Sequence, residues 1–153
     1  MRPRSSARRG TVCASWPATS AHPRRVIADA RGAALPSETL VLVVDDEPKL
    51  RGFLRRVLED EGYLVETASD GCEALTKARA CSPHAILLDL LMPVLDGVGF
   101  LRECRASPTW SSVPILVMSA GDTRIHAETL GAHAVLPKPF DLDILLSKLA
   151  SVL

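Results

Sequence analysis

The sequence predicts an α/β domain built on a five-stranded parallel sheet, and three observations carry that reading. Short, continuous apolar runs recur along the chain, helical apolar stripes lie between them, and acidic or hydroxyl residues close several of the runs. Continuous runs, rather than alternating ones, are what strands covered on both faces require. Strands that alternate with helices pair in parallel through right-handed crossovers, which place helices on both sides of the sheet.

Leu40-Val41-Leu42-Val43-Val44 is the first run, and it ends in Asp45-Asp46-Glu47-Pro48. Acidic residues before a proline suit a helix start. Leu50, Phe53, Leu54, Val57 and Leu58 then form one helical stripe, with Lys49, Arg51, Arg55, Arg56 and Glu59 largely off it, and Gly62 ends the helix. Tyr63 to Thr67 reads as the second strand. Asp70-Gly71-Cys72-Glu73 has capping-box spacing and opens a helix that runs through about Ala80.

Ala85-Ile86-Leu87-Leu88 is the third strand, ending at Asp89. Asp96 or Gly97 leads into a helix that reaches Ala106. Pro114 precedes the fourth strand, Ile115-Leu116-Val117-Met118, which ends at Ser119. Asp122 caps a short helix that stops at Gly131. Ala134-Val135-Leu136 is the fifth strand, followed by Pro137-Lys138-Pro139. Asp141 caps a last helix carrying Leu142, Leu145, Leu146, Leu149, Val152 and Leu153, with Ile144 off the stripe. The expected total is five strands and five helices.

Composition divides the 153 residues in two. Residues 1–37 carry seven Arg, no Lys and one acid, Asp29, with few large apolar groups. That composition predicts a disordered Arg/Pro-rich tail, because so little apolar surface cannot offset the entropy of ordering. It also suits an organelle transit peptide, or a translation start placed too early. The predicted domain, residues 38–153, keeps 11 basic and 17 acidic residues, a net of −6. Such a charge argues against nucleic-acid binding by the domain itself. No apolar run is long enough to span a membrane. Cys13, Cys72, Cys81 and Cys104 form no Cys-x-x-Cys pair, and no secretory signal is present, so they read as reduced thiols of a cytoplasmic protein. His84, His126 and His133 lack metal-site spacing, and Cys81-x-x-His84 is a lone half-motif.

In an open parallel sheet the functional crevice lies beyond the carboxyl ends of the strands. Asp45 and Asp46 close the first strand, Asp89 the third, Ser119 the fourth, and Lys138 follows the fifth. Singly, each has an ordinary reading, as a solvated helix start, a loop carboxylate or a turn lysine; their convergence at one edge favours a site. Clustered carboxylates repel one another unless a cation sits among them. A hard divalent ion suits oxygen ligands, and magnesium suits phosphate chemistry. A carboxylate can act as a nucleophile toward phosphorus, while an ammonium and a hydroxyl can hold phosphoryl oxygens.

Val44-Asp45-Asp46-Glu47-Pro48, Leu88-Asp89-Leu90-Leu91-Met92-Pro93 with Asp96-Gly97, Met118-Ser119-Ala120 and Pro137-Lys138-Pro139-Phe140 resemble the bacterial response-regulator receiver domain over residues 39–153. The resemblance implies a flavodoxin-like doubly wound sheet of order 2-1-3-4-5. It implies a phosphoryl group accepted on Asp89 from a histidine kinase or a histidine phosphotransfer domain. It also implies magnesium held directly by Asp46, Asp89 and the Leu91 carbonyl, and through water by Asp45. Lys138 would contact the phosphoryl group, Ser119 would be the switch hydroxyl, and Lys138-Pro139 would be cis. The expected protein is a stand-alone regulator without a DNA-binding domain, a switch rather than an enzyme. One departure is Val135, which occupies the position three before the lysine where the family usually has an aromatic ring. Two other readings are a constitutive protein-binding module and an aspartate-nucleophile phosphatase. The phosphatase would place a second Asp where Leu91 stands.

Overall fold

The computed structural model describes residues 39–120 and 129–153. The strands are β1 Leu40–Val44, β2 Leu64–Ala68, β3 Ala85–Asp89, β4 Ile115–Ala120 and β5 Ala134–Lys138. The helices are α1 Pro48–Asp60, α2 Gly71–Cys81, α3 Gly97–Ala106 and α4 Leu142–Val152. Every neighbouring pair of strands is parallel, in the order β2-β1-β3-β4-β5. This is the doubly wound order implied by the motifs.

Four of the five expected helices are present among the described residues. The short helix placed between Asp122 and Gly131 falls mostly on residues 121–128, outside those described, as does the tail placed at 1–37. Strand limits also move. β2 starts at Leu64 instead of Tyr63, while β4 and β5 run on to Ala120 and Lys138. The rungs Ser119↔Pro137 and Ala120↔Lys138 extend that ladder to the edge, so the hydroxyl and the ammonium belong to strand ends rather than to loops.

The pleat explains why the runs are apolar throughout. Leu42, Val44, Ile86, Leu88, Ile115 and Val117 face α2 and α3, where they meet Ala74, Ala78, Phe100, Leu101 and Cys104. Val41, Val43, Leu87, Leu116, Met118 and Leu136 face the other way, onto Leu54 and Leu58 of α1 and Leu145 and Leu149 of α4. Each buried Val or Leu contributes about 1.5–3 kcal/mol of transfer free energy. Phe53 departs from the predicted stripe, being 52% exposed. The stripe is centred on Leu50, Leu54 and Leu58, and Phe53 lies at its margin, on the solvent side. Ile144 is exposed, as its place off the α4 stripe predicts.

Helix starts follow the sequence signals closely. Asp70 accepts from the N–H groups of Cys72 and Glu73 at 2.8 and 2.9 Å. Glu73 reaches back one residue beyond the usual capping box, to the N–H and hydroxyl of Ser69 at 2.8 and 2.7 Å. Asp96 caps α3 through Gly99, and Asp141 caps α4 through Asp143 and Ile144. At α1, Glu47 makes no side-chain cap and Pro48 occupies the first turn. Gly62, at φ +92, supplies the left-handed turn after that helix. Among the described residues no helix is long and apolar enough to cross a membrane.

Candidate functional site

β1, β3, β4 and β5 all deliver polar residues to one edge of the sheet. Asp45 directly follows β1 and is fully buried, whereas Asp46 beside it is exposed. Asp89 is the last residue of β3 and is 6% exposed; Ser119, in β4, is 2% exposed. One carboxylate oxygen from each of Asp45, Asp46 and Asp89 lies within 4.8 Å of the others. All the residues singled out from the strand ends are therefore brought to this edge.

The ammonium of Lys138 joins two of these acids. Its Nζ lies 2.9 Å from Asp45 Oδ2 and 3.1 Å from Asp89 Oδ2. Burial alone would lower its pKa, but the hydrogen bonds and charges of Asp45 and Asp89 outweigh that and raise it above the ordinary lysine value. The other oxygens are also engaged: Glu47 N–H donates to Asp45 Oδ1 at 2.8 Å, and Leu91 N–H donates to Asp89 Oδ1 at 3.3 Å. Both oxygens of Asp45 and both of Asp89 thus have partners, while Asp46 is exposed to solvent.

Three carboxylates still outnumber the cations around them. The donor set is all oxygen, close-packed and open to solvent through Asp46, which fits a hard divalent ion such as magnesium. Among the described residues, no sulfur or imidazole enters the cluster to favour a softer metal. Chemically, the edge offers clustered carboxylates with an ammonium beside them, group types able to act as a nucleophile and as its charge partner.

Three contacts at this edge were not predicted from the sequence. Arg51, one turn into α1, donates from its guanidinium to the main-chain carbonyl of Asp45. Its sequence signal was a basic residue off the apolar stripe, close to the acidic turn. Gly97 donates its N–H to the Leu90 carbonyl at 3.0 Å, and a Cβ on it would lie 2.2 Å from the Asp89 carbonyl oxygen. Only glycine lets α3 start this close to the end of β3. The third is the pairing of Lys138 with Asp45, which the phosphoryl contact implied for that ammonium does not include.

Around this edge, Leu91 holds its side chain 64% exposed at the mouth of the site. Val135 is buried in the core beside β4, and no ring occupies its position. The Lys138-Pro139 bond is cis, as the motif implies.

Comparison with known proteins points the same way. The chain is 43% identical over 116 residues to response regulator MprA of Mycobacterium tuberculosis (strain ATCC 25618 / H37Rv), covering 74% of this chain and 50% of that protein. The Mycobacterium ulcerans (strain Agy99) MprA is equally similar, with 49% of its length covered. The chain thus spans about half the length of the curated relatives it matches. Among solved structures, chemotaxis response regulator CheY4 of Vibrio cholerae superposes with a TM-score of 0.70 at 37% identity, covering 76% of this chain and 99% of that one. The Francisella response regulator 1452 receiver domain gives 0.70 at 31% identity, covering 74% and 95%. With the acidic edge, the cis lysine–proline bond and the strand order already in place, the match of residues 41–150 to the response regulator receiver domain means that the chain belongs to that family.

Proposed function

We propose that the domain is a phosphorylation switch whose acceptor is Asp89. The observation that carries this reading is the Lys138 ammonium bridging Asp45 and Asp89 within a cluster of three carboxylates. A carboxylate oxygen of Asp89 attacks the phosphorus of a phosphohistidine on a sensor histidine kinase or phosphotransfer domain. The P–N bond breaks, and the imidazole leaves with the electron pair and takes up a proton. Lys138 and the Ser119 hydroxyl hold oxygens of the transferred group. Asp46, Asp89 and the Leu91 carbonyl would hold magnesium, with Asp45 beside them, and the ion would supply charge neutralisation. Phosphorylation then changes which protein partner the domain binds. With Val135 in place of a ring, that change does not use an aromatic side chain turning inward at this position.

Acetyl phosphate with magnesium tests the proposal. The purified chain should gain the mass of one phosphoryl group, and Asp89→Asn should gain none. Uptake undiminished in Asp89→Asn would refute the acceptor, and continuous release of phosphate without a stable adduct would favour a phosphatase. Failure to bind magnesium or take up phosphate would favour a constitutive binding module.

A further inference from the structure

Two histidines far from the acidic edge make the same pair of bonds. His84 precedes β3 and His133 precedes β5, each followed by Ala, a β-branched residue and Leu. The His84 N–H donates to the Leu40 carbonyl at 2.8 Å, while its Nδ1 accepts the Leu40 N–H at 3.1 Å. The His133 N–H donates to the Ile115 carbonyl at 2.9 Å, while its Nδ1 accepts the Ile115 N–H at 3.3 Å. In each case one histidine clasps both backbone groups of the first residue of the neighbouring strand. Both clasps lie at the end of the sheet opposite Asp89.

The clasp at His133 has an added cation. In an unbroken parallel ladder the Ile115 N–H would go to the carbonyl of Gly131. Gly131 instead turns at φ +89, and its carbonyl accepts from Arg105 Nε at 2.9 Å. Arg105 Nη1 also donates to the carbonyls of Trp110 and Ser111 at 3.2 and 3.0 Å, and Nη2 meets His133 Nδ1 at 3.2 Å. The ring nitrogen therefore substitutes for the displaced carbonyl and receives two donors, one of them on a guanidinium. An imidazole can do this only while neutral, with its proton on Nε2.

We infer that His133 is a proton-sensitive clasp: protonation of Nδ1 sets a donor against the Ile115 N–H and Arg105, and so releases the first rung between β4 and β5. The charged group touching the ring, among the described residues, is Arg105 of α3. β4 presents only the main chain of Ile115, and residues 107–114 and 129–132 carry no titratable side chain. Burial, and after it the charge of Arg105, lowers the His133 pKa, the direction this geometry demands. β5 is an edge strand with β4 as its one neighbour, so no second ladder backs the lost rung. The clasp at His84 joins β1 and β3, each of which has a further neighbour. Lys138 sits at the far end of the same short strand, so loosening begins five residues from the acidic edge.

The test is a histidine titration of the full chain by nitrogen-15 NMR, with amide exchange read at Ile115 and Leu40. His133→Asn identifies the signal and keeps an uncharged acceptor. At neutral pH His133 should be the Nε2–H tautomer, with a midpoint below about 6.5. Protection of the Ile115 amide, corrected for intrinsic rates, should fall as the pH drops below about 6.5 and through the lower folded value, by up to about tenfold for each unit of depression. In His133→Asn that fall should vanish. A midpoint at or above the ordinary value, an Nδ1–H tautomer, or an Ile115 profile that is the same in the variant would each overturn the inference.

Discussion

Lys138 and Asp45 meet at 2.9 Å although two strands, β3 and β4, separate the strands that carry them. The ammonium leans back across the edge of the sheet, so that one side chain ties its outermost strand to an inner one. Removing it leaves a fully buried carboxylate without its cation, a change that is costly inside a protein.

Lys138→Met should therefore destabilise the metal-free domain by about 2 kcal/mol, a discounted figure because the ammonium is partly exposed. Magnesium should restore a larger share of stability to this variant than to the unmodified chain, since the ion replaces the missing charge. The pH dependence follows from the raised lysine pKa. The stabilisation is complete below about pH 10.5 and is lost as the pH rises through the higher folded value. Denaturant melts at several pH values, with and without magnesium, check both points.

Gly97→Ala should cost about 2–3 kcal/mol, because the added carbon would overlap the main chain of Asp89 and Leu90 rather than a flexible side chain. Gly52→Ala is the matched comparison: its added carbon meets nothing within 4 Å, and alanine is the better helix former there. Equal stability of the two variants would show that α3 can retreat from β3 freely.

Glu73 has its pKa lowered to about 2, first by the Ser69 N–H, then by the hydrogen bonds from Lys77 and the Ser69 hydroxyl. A depressed acid contributes stability above its unfolded value, near 4.5, and loses it as the pH falls toward 2. Glu73→Gln should flatten that part of the acid-unfolding curve while leaving stability near neutrality lower. An unchanged acid limb would remove Glu73 as a contributor.

Leu91 stands exposed at the mouth of the site, and its side chain has no polar group to orient a water. On the proposed function, the phosphorylated domain should lose its phosphate slowly. Leu91→Asn should speed the loss severalfold, on the order of 1 kcal/mol of barrier, by supplying a polar partner for the incoming water. The half-life of purified phosphoprotein in magnesium buffer measures it. A half-life indifferent to the substitution would place control of the water elsewhere.

Much of this architecture was legible because hydrophobic burial leaves a periodic trace. The runs at Val41–Val44 and Ile86–Leu88 are apolar at every position because helices cover both sheet faces, and the caps at Asp70, Asp96 and Asp141 satisfy donors that any helix start exposes. The acidic edge was readable because strand ends in a parallel sheet converge. Contacts between distant residues left no such trace. Nothing in the spacing of Asp45 and Lys138, 93 residues apart, says that they pair. Phe53 counted as core by its period, yet it lies at the margin of the stripe, where helix rotation decides exposure. The histidine clasps leave no spacing signal, because an imidazole that accepts one main-chain donor needs no second residue at a fixed interval.

Arg105 has a consequence that is optical. Its guanidinium holds the Trp110 carbonyl, and the Trp110 ring lies beneath the Arg79 guanidinium, 5.7 Å from ring centre to carbon. Of the two tryptophans in the chain, Trp110 thus sits beside the clasp and away from the acidic edge, while Trp16 lies outside the described residues. With Trp16→Phe the chain keeps a single emitter. Its fluorescence becomes a remote gauge: any change on loading the carboxylates must have crossed the sheet from one rim to the other, and a flat signal would measure how well the domain insulates its two ends.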